Sequence, residues 1–461
     1  MTRFVSWRPL TAAATILLLP LAASGQPTQW RSPEAQRGAK VGGSPNVEIR
    51  SHIPLGGFFR VTDVEVEQDA DRPYAYVSQA RERAGFSIID ISDPDKAHAI
   101  YRWTIEDVDL HEGLGGMDAK YFKTNGRYYF IQSMQFAQGG ADADLGAVIF
   151  DVTGLPDVSK VREVARIRAP ETPGGFHNMF AYKHSSGRTL LFTTVRAPRA
   201  NIYDLDMLLD GAPDYGRIGE VPVPENPFGP GGYHDFYVGY DPATGQDKFY
   251  GAGSGGYHVF DVTNLDEPRL LFSIAGAPGI TYGHTFTPTP DGKYAVTETE
   301  YQYAPLRIFD LRPGQSGERR TIFRPVGAWT ADWKALSHNH EVRWPFVFVS
   351  AYEDGLQVFN LEDPSNPITM GWYYTYNGPP ERGYGGRAAE DYRGTSVMNG
   401  AFGVDVRNVD GLVVLSDSDT GFWLFTMAGF QGWKGEDWGM PNVSSAQDWD
   451  NGPVPRTAAI P

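Results

Sequence analysis

Apolar residues in this chain fall into short runs, and one kind of run recurs at regular intervals. It is an apolar hexad that ends in Asp, usually after Gly: GFSIID at Gly85–Asp90, GAVIFD at Gly146–Asp151, then copies around Asp204, Asp261, Asp310, Asn360 and Thr426. The seven copies are spaced by 61, 53, 57, 49, 50 and 66 residues. Upstream of each lies a second apolar run, such as YAYVSQ at Tyr74–Gln79 or FVFVSAY from Phe346. Downstream comes a turn, often with Asp-Pro, and then another strand-like segment. Each unit reads as a four-stranded antiparallel meander. One meander cannot bury both of its faces, whereas radial stacking buries them and leaves only short edges. The expected fold is all-β, a seven-bladed β-propeller. A β-sandwich gives no reason for seven units of near-equal length.

The seventh unit is one strand short. After Phe422–Met427 the chain runs into a tail rich in Trp, Gly and Pro, without a strand pattern. At the other end, Asn46–Leu55 (NVEIRSHIPL) reads as an outer strand, and pairing it with the last blade would close the ring and remove its open edge. The organisation expected is therefore a leader over 26–45, the propeller over 46–428 and a tail over 429–461 lying across a face of the disc. Residues 1–25 read as a secretory signal peptide: Arg3 and Arg8, a small-and-apolar stretch at Thr11–Ala22, and small residues at Ala23-Ser24-Gly25. The apolar stretch is shorter than the roughly 20 residues a membrane-spanning helix needs, so the chain is expected to be periplasmic or secreted, with no transmembrane segment.

Composition narrows the chemistry. With no cysteine, disulfides, thiolate nucleophiles and Cys-bound metals are excluded. The net charge of −16, which becomes −18 once Arg3 and Arg8 are removed, repels nucleic acid and argues against such a partner. The 53 Gly, 34 Pro and 13% aromatic residues fit short aromatic strands joined by tight turns.

The segments GLQVFNLEDPSNP (Gly355–Pro367) and GFSIIDISDPDKA (Gly85–Ala97) resemble the LVIVD repeat of bacterial exported propellers. SHNHEVRWPFVFVSAY (Ser337–Tyr352) and HTFTPTPDGKYAVTE (His284–Glu298) are similar to blades of the related choice-of-anchor B proteins. The resemblance covers 46–428. It implies the fold and says almost nothing about activity, so function has to come from the site.

Four consecutive blades place His at the head of the inner strand: His177, His234, His284 and His338, spaced by 57, 50 and 54 residues. Two follow the same Gly-Gly-aromatic element (Gly174–His177 and Gly231–His234). The other heads carry Asp63, Asp118 and Asp405, expected at the same channel mouth, and His111 in an entry loop could also face it. Neutral imidazoles converging on one axis suit a transition metal (Cu, Fe or Zn), and a carboxylate such as Glu298 could complete the shell. The competing explanation is a structural His spread by duplication. Tyr233 and Tyr282 stand beside the His heads as cavity lining or interblade packing. His258 reads as a partly solvated blade residue, and the pairs Glu298/Glu300 and Asp417/Asp419 as solvated surface.

Three functions fit these residues. One is a metal-binding mouth with oxidoreductase or hydrolytic chemistry. Another is a uronate polysaccharide lyase, using His177 or His234 with Tyr233 and with Arg196 or Arg387. The third is a non-catalytic binding or surface-interaction module. The partner expected at the mouth is a small-molecule, carbohydrate or protein ligand. No nucleophile elbow, phosphate-binding loop or zincin motif is present, so catalytic residues are not assigned.

Overall fold

The computed structural model describes residues 42–57, 59–108, 111, 113–136, 140–301, 303–332, 336–376, 398–434 and 447–453. Seven sheets, antiparallel except for the short strand Thr321–Ile322 added in parallel to blade 4, are arranged as blades 1 to 7, with inner strands Val61–Val66, Gly113–Thr124, Met179–Lys183, Tyr233–Asp241, Thr285–Pro288, Asn339–Arg343 and Ala401–Val406. The recurring hexad is the third strand of each blade, as in Gly85–Asp90 and Leu356–Asn360.

The Asp that closes the hexad has a local job. Its carboxylate accepts the backbone N–H two residues on: Asp90 from Ser92, Asp151 from Thr153, Asp204 from Asp206, Asp261 from Thr263 and Asp310 from Arg312, with Asn360 accepting from Glu362. This side-chain-to-backbone turn reverses the chain between the third and fourth strands. Thr426 lacks that turn because its blade takes its outer strand from elsewhere: Val47–Ile53 pairs antiparallel with Gly421–Met427, from Val47 opposite Met427 to Ile53 opposite Phe422. The ring is thus closed by the N-terminal strand. Just ahead of it, Gly42–Gly43 forms a fifth strand on blade 6 beside Tyr373 and Tyr374, so this segment bridges blades 6 and 7.

Side chains alternate across each strand and pack blade against blade. Between blades 1 and 2, Tyr76 stacks on Phe130 at 4.3 Å, and Phe86 lies 4.5 Å from Phe130 and 4.8 Å from Phe150. Such residues are fully buried, each contributing about 1.5–3 kcal/mol by leaving water. Around the channel, a polar side chain of one blade hydrogen-bonds the strand-head carbonyl of the next. Thr62 donates to Gly116 O (2.9 Å), Asn178 Nδ2 to His234 O (3.0 Å) and Ser350 to Phe402 O (2.7 Å).

The described tail residues sit at the far ends of the inner strands. Trp433 Nε1 donates to Trp344 O, and Gln447 bridges Ala181 O and Lys183 N. Among the described residues no helix is long and apolar enough to cross a membrane. The expected signal peptide (1–25) and most of the leader lie outside the described residues, as does Arg387.

Candidate functional site

The four strand-head histidines form a row across blades 3 to 6. Ring centroids are 4.3 Å apart for His177 and His234, 4.0 Å for His234 and His284, and 4.8 Å for His284 and His338. Burial lowers the pKa of every one, His177 to about 4 and His338 to about 3, so the row is neutral at pH 7. Neutral imidazole is the ligand form.

Two carboxylates close on this row from the end of the second strand of blade 5. Glu298 Oε2 lies 2.9 Å from His284 Nδ1, and Glu300 Oε2 lies 3.3 Å from His284 Nε2. Glu300 Oε1 is 3.9 Å from His338 Nε2 and accepts the Tyr352 hydroxyl. Burial pushes Glu300 up to about 7 and Glu298 well above the usual range. The expectation that this pair is solvated surface is therefore corrected: the strand turns inward at the mouth, and Glu298 is 4% exposed.

His234, His284 and Glu300 each present a ligand atom within 4.8 Å of the others. The nitrogens His234 Nδ1 and His284 Nε2 are buried and make no hydrogen bond. Such orphans are costly in a native interior. At the ends of the row the rings are already held: His177 Nδ1 bonds Gln135 Oε1 at 2.6 Å, and His338 Nδ1 bonds Phe402 O.

The carboxylate heads do not share this mouth. Backbone bulges fall at the heads of blades 1, 2 and 7, and of blade 4 among those that carry His. Phe59, Met117 and Phe402 reach the His row, lining with it a cavity of about 110 Å³. Asp63, Asp118 and Asp405 lie further along the axis, lining a separate cavity of about 70 Å³ with Glu65, Lys120 and Trp449. There Lys120 Nζ is 2.7 Å from Asp118 and 3.6 Å from both Asp63 and Glu65.

His111 stacks on Phe136 at 4.4 Å, with Nε2 3.9 Å from Asp142. It does not line either mouth cavity. His258 is buried rather than partly solvated, because both nitrogens are engaged, with Ser273 Oγ and Ser254 O. Asp417 is likewise buried, accepting from Thr375 and from the backbone of Asp419 and Thr420.

On the other side of the row, a cavity of about 360 Å³ is lined by His177, His234, Tyr233, Tyr282, Gln135 and Arg196, among others. Tyr233 is 4% exposed, packs edge-on against Phe249 and donates its hydroxyl to Pro222 O, so its phenol is occupied. Tyr282 stands edge-on to His234 at 6.2 Å. The sequence marks Glu300 only as one of a pair of surface carboxylates, and it does not mark Tyr352 or Gln135. The Glu298/Glu300 alternation was visible, but nothing local marks Tyr352 or Gln135, which arrive from neighbouring blades.

No family model matches the chain, and no curated protein does. Among solved structures it is similar to the WD40 β-propeller domain of Doa1, with 9% identity and a TM-score of 0.52, covering 83% of this chain and 98% of that one. At that identity the likeness is one of fold: a seven-bladed propeller, a scaffold that commonly presents binding surfaces.

Proposed function

We propose that the chain is an exported, LVIVD-type propeller whose channel mouth holds a transition metal (Cu, Fe or Zn) on His234, His284 and Glu300. The observation that carries this reading is the pair of buried, unbonded nitrogens, His234 Nδ1 and His284 Nε2, facing a carboxylate within ligand range. His284 Nδ1 is hydrogen-bonded with Thr285 Oγ1 at 2.8 Å, with the Glu298 carboxyl 2.9 Å away, and such outer partners orient a ligating imidazole. Imidazole-rich sites favour these metals over Mg or Ca. A bound ion would supply Lewis-acid or redox chemistry at the mouth. The chain's own part is to keep the imidazoles neutral, fix Glu300 through Tyr352 and shield one side with Phe59, Met117 and Phe402.

Elemental analysis of protein purified without a His tag tests this. The expected result is a single Cu, Fe or Zn ion per chain, lost in a His234→Ala/His284→Ala double variant. Metal-free protein whose melting temperature ignores all three ions overturns it and leaves the mouth as a metal-independent binding surface.

A further inference from the structure

The cavity beside the His row differs in charge from the rest of the protein. The chain carries 56 acidic residues against 40 Lys and Arg, yet among the described residues no Asp or Glu lines this space of about 360 Å³. Its one cation, Arg196, is exposed and makes no ion pair or hydrogen bond among the described residues. Most other arginines of the described blades are held by carboxylates, as Arg166 is by Glu163 and Arg199 by Glu220.

The position of Arg196 is built by the Gly-Gly element that precedes His177. Gly174 holds φ +130°, and a Cβ there would fall 2.0 Å from Arg196 Nε. Gly175 holds φ +71°, and a Cβ there would fall against Met134 O. Gly174 therefore clears the space across which the Arg196 side chain lies, while Gly175 lets the backbone pass close to blade 2. The polar groups beside Arg196 on this wall include Gln135, the neutral imidazoles of His177 and His234, and Thr194, whose hydroxyl accepts the backbone N–H groups of His177 and Asn178. Tyr282 and Val195 supply apolar surface.

We infer that this cavity binds a small organic carboxylate, with the Arg196 guanidinium as its anchor and the remainder of the ligand lying against His177 and Tyr282. A planar guanidinium pairs a carboxylate through two parallel N–H···O bonds, which a lysine cannot reproduce. The inference deepens the metal reading by naming the ligand class of the same mouth, but anion capture at Arg196 does not need the metal.

The experiment follows from that independence: calorimetric titration of acetate, benzoate and glucuronate into chelator-stripped protein, with benzamide as a neutral isostere of benzoate. At least one carboxylate is expected to bind. Arg196→Gln should weaken it about tenfold or more, Arg196→Lys should recover only part of that, and benzamide should bind about tenfold more weakly than benzoate where benzoate is the binder. Arg196 is exposed, so neither variant should move the melting temperature. No binding by any of the three at millimolar concentration overturns the inference, as does binding that Arg196→Gln leaves unchanged. Carboxylate binding in a protein that never takes up metal sinks the metal reading alone; metal uptake without carboxylate binding sinks this one alone.

Discussion

The Tyr352 hydroxyl donates to Glu300 Oε1 at 2.5 Å, and both residues hold left-handed backbone, with φ of 41° and 52°. Neither is Gly or Asn, so both conformations are held against their intrinsic preference by the surrounding structure. The bond crosses from blade 6 to blade 5 and aims the other oxygen of Glu300 at His284. If Glu300 is a ligand, Tyr352 is its positioning residue. Tyr352→Phe should leave the fold intact, at a stability cost of about 1 kcal/mol for one lost hydrogen bond. It should weaken Zn(II) binding about 10- to 100-fold, the usual effect of losing an outer-shell partner. Competition against a chromophoric chelator measures this, and unchanged affinity removes Tyr352 from the site.

The architecture was legible because its signal is periodic. Six of the seven hexads end in an Asp or Asn whose turn is made within two residues, so local signals add up to a ring, and the strand missing from the seventh unit pointed to Asn46–Leu55. The His row was legible for the same reason: one residue per blade at one position. The pairing of partners was not. Glu300 and Tyr352 are 52 residues apart and meet only because blades 5 and 6 stack. Asp63, Asp118 and Asp405 line the second cavity with Asn178, Asp235 and Asn339, the residues that follow the His heads, so alternation along the strand separates them from the row.

Further along the axis, Lys120 neutralises a buried group of carboxylates from blades 1 and 2. Burial pushes Asp63 and Glu65 well up, and the Lys120 charge works against it. Lys120→Met should leave those carboxylates without a cation, at a cost of about 3–5 kcal/mol. Adding Asp118→Asn should recover part of the loss, because one of the repelling charges goes with it. Urea unfolding of the two variants and the single Asp118→Asn completes the cycle; strictly additive effects would show that Lys120 and Asp118 do not interact.

Asp405 gives a pH signature. Burial, with repulsion from Glu341, pushes its carboxyl up to about 6, against the pull of Arg343. Glu65 faces it from blade 1 and is raised as well. An unfolded Asp titrates near ~3.9. Between those values the folded state keeps a proton that the unfolded chain has released, so this group's contribution to stability is full below about pH 4 and lost as pH rises through about 6. Asp405→Asn carries no such titration. The slope of melting temperature against pH over that window should be shallower in the variant than in the parent, by calorimetry in buffers of matched ionic strength. Parallel curves would mean that Asp405 does not titrate in this range.

Ring closure predicts the effect of a truncation. Removing residues 1–41 keeps the strand Val47–Ile53 and its partner Gly421–Met427. Removing residues 1–55 strips that strand away, uncovers the apolar side chains it shields, including Phe422 and Leu424, and leaves the outer edge of Gly421–Met427 without its partner. Each apolar side chain returned to water costs about 1.5–3 kcal/mol, and an unpaired strand is a template for pairing with another chain. The shorter truncation should melt as the full chain does, whereas the longer one should melt at a lower temperature and elute as oligomers in size-exclusion chromatography. A monomeric long truncation with unchanged melting temperature would mean that the six complete blades and the three-stranded seventh hold the ring without their N-terminal clasp.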